Sequence, residues 1–384
     1  GMATEAMNSN DGATATRLPS ATGVLSLLAA WGMLLHARKC DPGLGRLILS
    51  LPFLAANLCL PFLIPSEQVV ARACASGQFA WWSNFKIIAF CCNRGPLVGL
   101  DLKAFALVLA LPVSPLEKKS KRTPASRKPA SASPGRSSQL AEFSRKVVAK
   151  GAGLAACVFV LKHNAWPGWA RACASSSGPC ARPTTFSNYV TDFAEALGLY
   201  TLLGVLEDGL GAVSANVVGI QVEKSFENFF LSASLAEFWS LRWNQHVAKL
   251  LKCVVYEPLV ERAWVRGEGK ARQRGKPSAL RRAVATAATF VASGVMHEVV
   301  FFYVAGVMTG GWWTFFSLQG VFVIIESLLR KHSVFAGLQV SRWVKVPFTL
   351  GFLLWTGEMH FFRPVRDHGV DKAVVDNLGS LLKL

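Results

Sequence analysis

The chain has 384 residues and a formal charge of +18, with 52% of its residues hydrophobic and only 17% charged. That balance excludes an ordinary soluble protein, whose water-facing surface needs far more charge, and points to a polytopic membrane protein. The positive charge is gathered in blocks between apolar runs, so it reads as membrane topology and not as a nucleic-acid surface.

The polar stretch 1–17 lacks the charged start, short apolar core and cleavage site of a secretory signal. The first apolar run is therefore expected to be a retained anchor. A spanning helix needs about 20 mainly apolar residues. Candidate spans are 18–36, 46–64, 100–113, 147–161, 195–220, 283–305, 312–329 and 344–362, of which the third and fourth are short and read as tilted or re-entrant. The fold class is all-α, a transmembrane bundle of seven to nine spans. It divides into an N-terminal transmembrane region 18–113, a basic loop 114–146, a transmembrane core 147–363 and a C-terminal tail 364–384.

The loop is rich in Lys, Arg, Ser, Pro and Ala, with nothing to bury, so it is expected to be disordered and cytosolic. Ten Lys or Arg fall between 114 and 150 against two acids, and eight between 259 and 282 against two. Two predicted spans separate the blocks, so both can face the cytosol. Two stretches read as interfacial helices: 79–92, which begins FAWWSNFKIIAF, and 237–264, both mixing tryptophans with basic residues at helical spacing.

Nine cysteines are scattered without CxxC or zinc-like spacing and read mostly as free thiols; Cys173 and Cys180 fall in a predicted non-cytosolic loop where a disulfide can form. No metal or bound cofactor is expected, and no internal repeat or nucleotide-binding glycine motif is present.

The segment FVASGVMHEVVFFYVAG, 290–306, is apolar except for the adjacent His297 and Glu298. A helix starting near Ala283 carries His297 about 22 Å beyond Arg282, inside a hydrocarbon core of about 30 Å. An ionisable side chain at that depth is costly unless it faces the bundle interior or a wet cavity. A buried structural histidine satisfies this as well as a functional one. The segment FWSLRWN, Phe238 to Asn244, sharpens the reading. A neutral histidine can take a hydroxyl proton, and an asparagine amide can donate to an acyl carbonyl or orient a hydroxyl.

The run EFWSLRWNQHVAKLLKCVVYEPLV, followed by FVASGVMHEVVFFY, resembles the wax synthase branch of the membrane-bound O-acyltransferases, in which an FWxxRWN motif precedes a VSGxxHE helix. WWSNFKIIAFCCNRGPL at 81–97 and WWTFFSLQGVFVIIESLLRK at 312–331 are further points of similarity, and the resemblance spans roughly 79–331. Two features depart from the pattern: the long basic loop, and Gln319 where relatives often carry His before Gly320. The resemblance implies an endoplasmic reticulum enzyme that moves a fatty acyl group from acyl-CoA, as co-substrate, to a lipid hydroxyl. That hydroxyl is most simply a long-chain alcohol giving a wax ester, with diacylglycerol and sterol as alternatives. It places the catalytic pair at His297 and Asn244, and substrate contacts at Phe238, Trp239, Arg242, Trp243 and Glu298.

Other residues carry weaker signals. Glu298 reads chiefly as an ion pair with a basic residue of another helix, Glu207 and Asp208 as acids marking a helix break at Gly209, Glu326 as a partner of Arg330, and His360 as interfacial. Two other classes remain compatible with the sequence. One is a transporter using His297, Glu298, Glu207 and Asp208, although its halves lack matching hydropathy; the other is a noncatalytic lipid-binding relative. The lipid bilayer is an expected partner; no oligomeric interface is legible.

Overall fold

The computed structural model describes residues 21–115, 136–164, 186–217, 219, 222–267, 276–330 and 340–383. Among these the chain is helical, with one isolated bridge from Pro115 to Val222. Four helical runs are long and apolar enough to cross a membrane: Leu44–Leu63, Thr191–Ser214, Ala279–Ala305 and Gly311–Leu329. A shorter apolar helix lies at Leu25–Ala37. The all-α membrane architecture expected from composition is thus present. Cys173, Cys180, most of the first basic block and positions 268–275 of the second lie outside the described residues.

Helices α1 (Ala21–Ala37) and α2 (Leu44–Cys59) form an antiparallel pair. Next come α3 (Val69–Ala75), a π-helical stretch at Ser76–Ser83 and α4 (Asn84–Cys91), then α5 (Leu102–Ala110), whose first turn is capped by Asp101 accepting from Ala104 N at 2.8 Å. Leu34, Ile87, Phe105 and Val108 fill the core of this N-terminal unit.

The stretch 79–92, read as interfacial from its composition, is largely buried within the protein. Lys86 is 1% exposed, and its ammonium donates to the carbonyls of Val108, at 2.6 Å, and Leu111, satisfying the C-terminal end of α5. Asn84 accepts from Asn57 Nδ2 at 2.8 Å. A polar side chain used up in this way leaves the sequence looking amphipathic while the helix is buried.

Helix α6 (Arg136–Asn164) begins inside the segment read as loop, and packs along α7 (Phe186–Val217). Helix α7 runs through Gly209 without the expected break. In place of a break, Asp208 pairs with Lys150 at 2.6 Å, tying α7 to α6.

Further on lie α8 (Gln245–Leu251), α9 (Glu257–Glu261), α10 (Ala279–Ala305), α11 (Gly311–Leu329), α12 (Arg342–Gly357), α13 (Arg363–Asp367) and α14 (Val370–Leu382). The segment read as a C-terminal tail is therefore α13 and α14. Val375 and Leu378 of α14 join Leu154, Val158 and Leu161 of α6 in a second core cluster. Arg366 of α13 is buried among Asp192 at 2.5 Å, Glu195 at 3.4 Å and Glu358, pinning this end of the chain to α7.

The packing that matters most for the site is between α10 and α11. Gly294 lies so close to α11 that a Cβ there would stand 2.9 Å from both Cα and O of Trp313, and a Cβ on Gly320 would stand 2.7 Å from that of Phe290. Two glycines, one on each helix, let the backbones approach at a distance larger residues forbid.

Candidate functional site

His297 lies on α10, four residues after Ser293, and its Nδ1 is 2.8 Å from the Ser293 carbonyl oxygen. A carbonyl only accepts, so Nδ1 carries the proton and Nε2 is left with its lone pair. The ring is held between aromatic groups. Phe316 of α11 stacks on it at 3.9 Å with 20° between planes, and Trp81 meets it edge-on at 4.6 Å. The Phe316 contact depends on Gly294, because the same close approach of α11 brings Phe316 over the ring.

Glu298, the neighbour, faces elsewhere. Its carboxylate accepts from the backbone N–H groups of Gly310 at 2.6 Å, Thr309, and Trp313 at 3.3 Å, at the start of α11. A carboxylate at the positive end of a helix is favoured by its dipole and by the unpaired N–H groups there. The expected ion pair is thus replaced by a helix cap. Glu298 does not line the cavity described below; it fixes the α10–α11 turn.

Asn244 has φ of +36°, in the left-handed region that asparagine tolerates better than most residues, and caps α8 through Oδ1, which accepts from Val247 N at 3.3 Å. With the oxygen employed, the amide Nδ2 remains as the donor. Arg242 sets this turn. It pairs with Glu237 at 2.6 Å and donates to the carbonyls of Glu227 and Asn228 at 3.1 and 3.0 Å. Its guanidinium therefore braces the motif and does not line the cavity.

Phe238 and Trp243 stack at 5.4 Å, and Trp239 Nε1 donates to Gln319 Oε1 at 3.4 Å. Gln319 in turn donates to Thr356 at 2.9 Å. The departure at Gln319 therefore has a structural role, linking the FWxxRWN segment to α11 and α12. Glu326 pairs with Arg330 at 2.7 Å, as the sequence suggests, and also accepts from Ala236 N at 3.1 Å.

These elements enclose a cavity of about 1210 Å³ with mostly apolar walls. His297, Asn244, Phe238, Trp239 and Trp243 all line it, and Trp81 and Phe316 complete the wall around the imidazole. Of the residues expected at the site, Arg242 and Glu298 are the two that do not reach it. The sequence missed the Trp81 contribution, since the segment reads as surface. A tryptophan pair flanked by Asn84 and Lys86 beside the closing GPL was the available signal. All four π-helical stretches described, Ser76–Ser83, Phe238–Arg242, Lys252–Tyr256 and Glu358–Phe362, place aromatic side chains at this wall, in keeping with the frequent use of π-helical turns at functional sites.

The fold and the cavity define a helical integral-membrane protein with a polar pair set in a lipid-sized chamber. Residues 222–318, which contain both motifs, match the model of the membrane bound O-acyl transferase family. The chain is 27% identical over 351 residues to a long-chain-alcohol O-fatty-acyltransferase of Simmondsia chinensis, covering 87% of this chain and 85% of that one. It is 26% identical over 317 residues to acyl-CoA--sterol O-acyltransferase 1 of Arabidopsis thaliana, covering 80% and 81%. A probable long-chain-alcohol O-fatty-acyltransferase 7 of Arabidopsis thaliana is 34% identical over 167 residues, 43% of this chain and 47% of the relative. The similarity read from the motifs is borne out: the segment holding both motifs matches the O-acyl transferase family, and most of the chain is similar to long-chain-alcohol and sterol O-acyltransferases.

Proposed function

We propose that the protein transfers a fatty acyl group from acyl-CoA to a long-chain alcohol, releasing a wax ester and free coenzyme A, in the endoplasmic reticulum membrane. The observation that carries this reading is the tautomer of His297: with Nδ1 held by the Ser293 carbonyl, Nε2 is a proton acceptor in the same cavity as the Asn244 amide.

The alcohol O–H donates to His297 Nε2. As the oxygen attacks the thioester carbonyl carbon, the proton passes to the imidazole and Asn244 Nδ2 supports the developing oxyanion. The intermediate collapses with cleavage of the C–S bond, and the imidazolium returns its proton to the departing thiolate. The thioester is already activated, so base and oxyanion support suffice. Apolar walls exclude water from the acyl group and leave the alcohol as the nucleophile at hand. Phe238, Trp239 and Trp243 form wall for the hydrocarbon chains, while Arg242 and Glu298 position the two motifs.

A sterol acceptor is the second reading, favoured by the similarity to a sterol acyltransferase over most of the chain. Membranes from a host without neutral-lipid synthesis, given labelled acyl-CoA with a long-chain alcohol, a diacylglycerol or a sterol, test both. Wax ester from wild type and its loss in a folded His297→Ala variant are expected. Sterol ester alone would move the acceptor, and no ester with any acceptor would overturn the enzymatic reading in favour of a lipid-binding or transport role.

A further inference from the structure

Glu207 on α7 is 5% exposed and lines the same cavity as His297 and Asn244. Neither of its carboxyl oxygens meets a donor in full hydrogen-bond geometry among the described residues; the Ser225 side chain is a neighbouring donor that falls short of it. The nearby cation is already engaged: Lys150 pairs with Asp208 at 2.6 Å, and its ammonium sits 5.3 Å from the centre of the Tyr200 ring. Burying a carboxyl with no donor is costly, and native proteins rarely leave one so. A bound molecule that brings a donor would remove the cost.

The position of Glu207 narrows the choice of donor. It lies beside Ser225, whose carbonyl accepts from Gln245 N at 2.8 Å, so it adjoins the turn that presents Asn244. Lys249 and Lys252 line the same cavity and are exposed, and their charges favour entry of a polyanionic acyl donor by a mouth on the α8 side. A thioester reaching His297 from that mouth must thread its linking arm past this wall. Hydrocarbon tails carry no donor, and the acceptor's hydroxyl is committed to His297. The arm of coenzyme A carries two amide N–H groups.

We infer that Glu207 accepts a hydrogen bond from an amide N–H of the pantetheine arm and so is a binding residue for the acyl donor, distinct from the pair that performs the transfer. The inference rests on acyl-CoA being the donor. Glu207 then gains its donor when acyl-CoA binds.

The test uses full-length protein carrying Glu207→Leu or Glu207→Gln. Glu207→Leu is expected to raise the KM for acyl-CoA on the order of tenfold, the loss of one bond to a charged or buried acceptor, and to leave the KM for the alcohol unchanged. Glu207→Gln, which keeps an acceptor oxygen, is expected to restore most of the affinity. The ligand-free Glu207→Leu protein should unfold at or above the wild-type temperature, since an uncompensated polar group has been removed. A non-reactive thioether analogue of acyl-CoA should raise the unfolding temperature of wild type more than that of Glu207→Leu. An unchanged acyl-CoA KM with an undiminished thermal shift, a change in the alcohol KM instead, or a lower unfolding temperature without ligand would each overturn the inference. Absence of ester from wild type would strike the proposed function; ester from wild type with an unaltered acyl-CoA KM in Glu207→Leu would strike this inference alone.

Discussion

The carboxylate of Glu298 accepts the backbone N–H of Gly310 at 2.6 Å, joining the helix that carries His297 to the first turn of the helix that carries Phe316. Replacing Glu298 with Ala leaves several N–H groups at the start of α11 without a partner. A loss of about 1–3 kcal/mol of stability is expected. Glu298→Gln keeps the acceptor oxygen without its charge and should fall between. Thermal unfolding in detergent orders the three proteins, and equal stability of Ala and wild type would remove Glu298 from its capping role.

Gly294 is the second support of the same arrangement. A methyl group there meets the Trp313 backbone at 2.9 Å, and backbone cannot swing aside as a side-chain end can. Gly294→Ala is expected to cost about 1–3 kcal/mol and to cut ester formation, because α11 must retreat and carry Phe316 off the imidazole. Wild-type activity in Gly294→Ala would show that the stacked ring is dispensable.

Asn244 combines a cap with a donor, and the two separate by substitution. Asn244→Asp keeps an oxygen for Val247 N and tolerates the left-handed backbone but offers no amide N–H. Its unfolding temperature should stay near wild type while kcat drops about 10²–10³-fold. Asn244→Ala loses the cap as well and should fall in both measurements. Retained kcat in Asn244→Asp would assign the residue to capping alone.

Outside the four long apolar runs, Arg94 joins the NRGPL segment to α9 through Glu257 at 2.9 Å and Glu261 at 2.6 Å. The hydrogen bond from Arg94 holds the Glu261 carboxyl below its usual range, against the opposing effect of burial, with the Arg94 and Arg266 charges adding to it. A depressed carboxyl contributes stability above its unfolded value, and that contribution is lost as pH falls through the folded value. Thermal stability should therefore decline as pH is lowered below about 4.5, the usual glutamate range. Glu261→Gln should show a shallower decline; an identical acid profile would exclude this pair as a source.

The helices were legible in the sequence because apolar length announces them, and His297 because a lone ionisable group in such a run stands out. That Asn244 shares its cavity was legible only through motif resemblance, since more than fifty positions separate the two. Trp81 and Lys86 were misread for a physical reason. Buried polar groups that satisfy other helices' carbonyls produce the same alternation of aromatic and basic residues as a helix lying at the headgroups, and one dimension does not distinguish them. Glu298 was misread likewise, because its partners are backbone groups, which have no sequence signature. The helix through Gly209 shows that a glycine after two acids does not break a helix whose neighbours hold it by packing and by Lys150. In 364–384 the apolar positions that meet α6 were too few to stand out from a tail.

The π-helical stretch at Ser76–Ser83 leaves the rest of its helix out of phase with an ordinary α-helical path. Trp81 and Lys86 must point at the imidazole and at the end of α5 at the same time, and each residue of offset turns a side chain by about 100°. The wall of the chamber thus depends on a count as much as on a composition. Exchanging one aromatic for another adjusts the fit, but removing a single residue here would rotate the two halves against each other and leave either the histidine or the buried lysine facing the wrong neighbour.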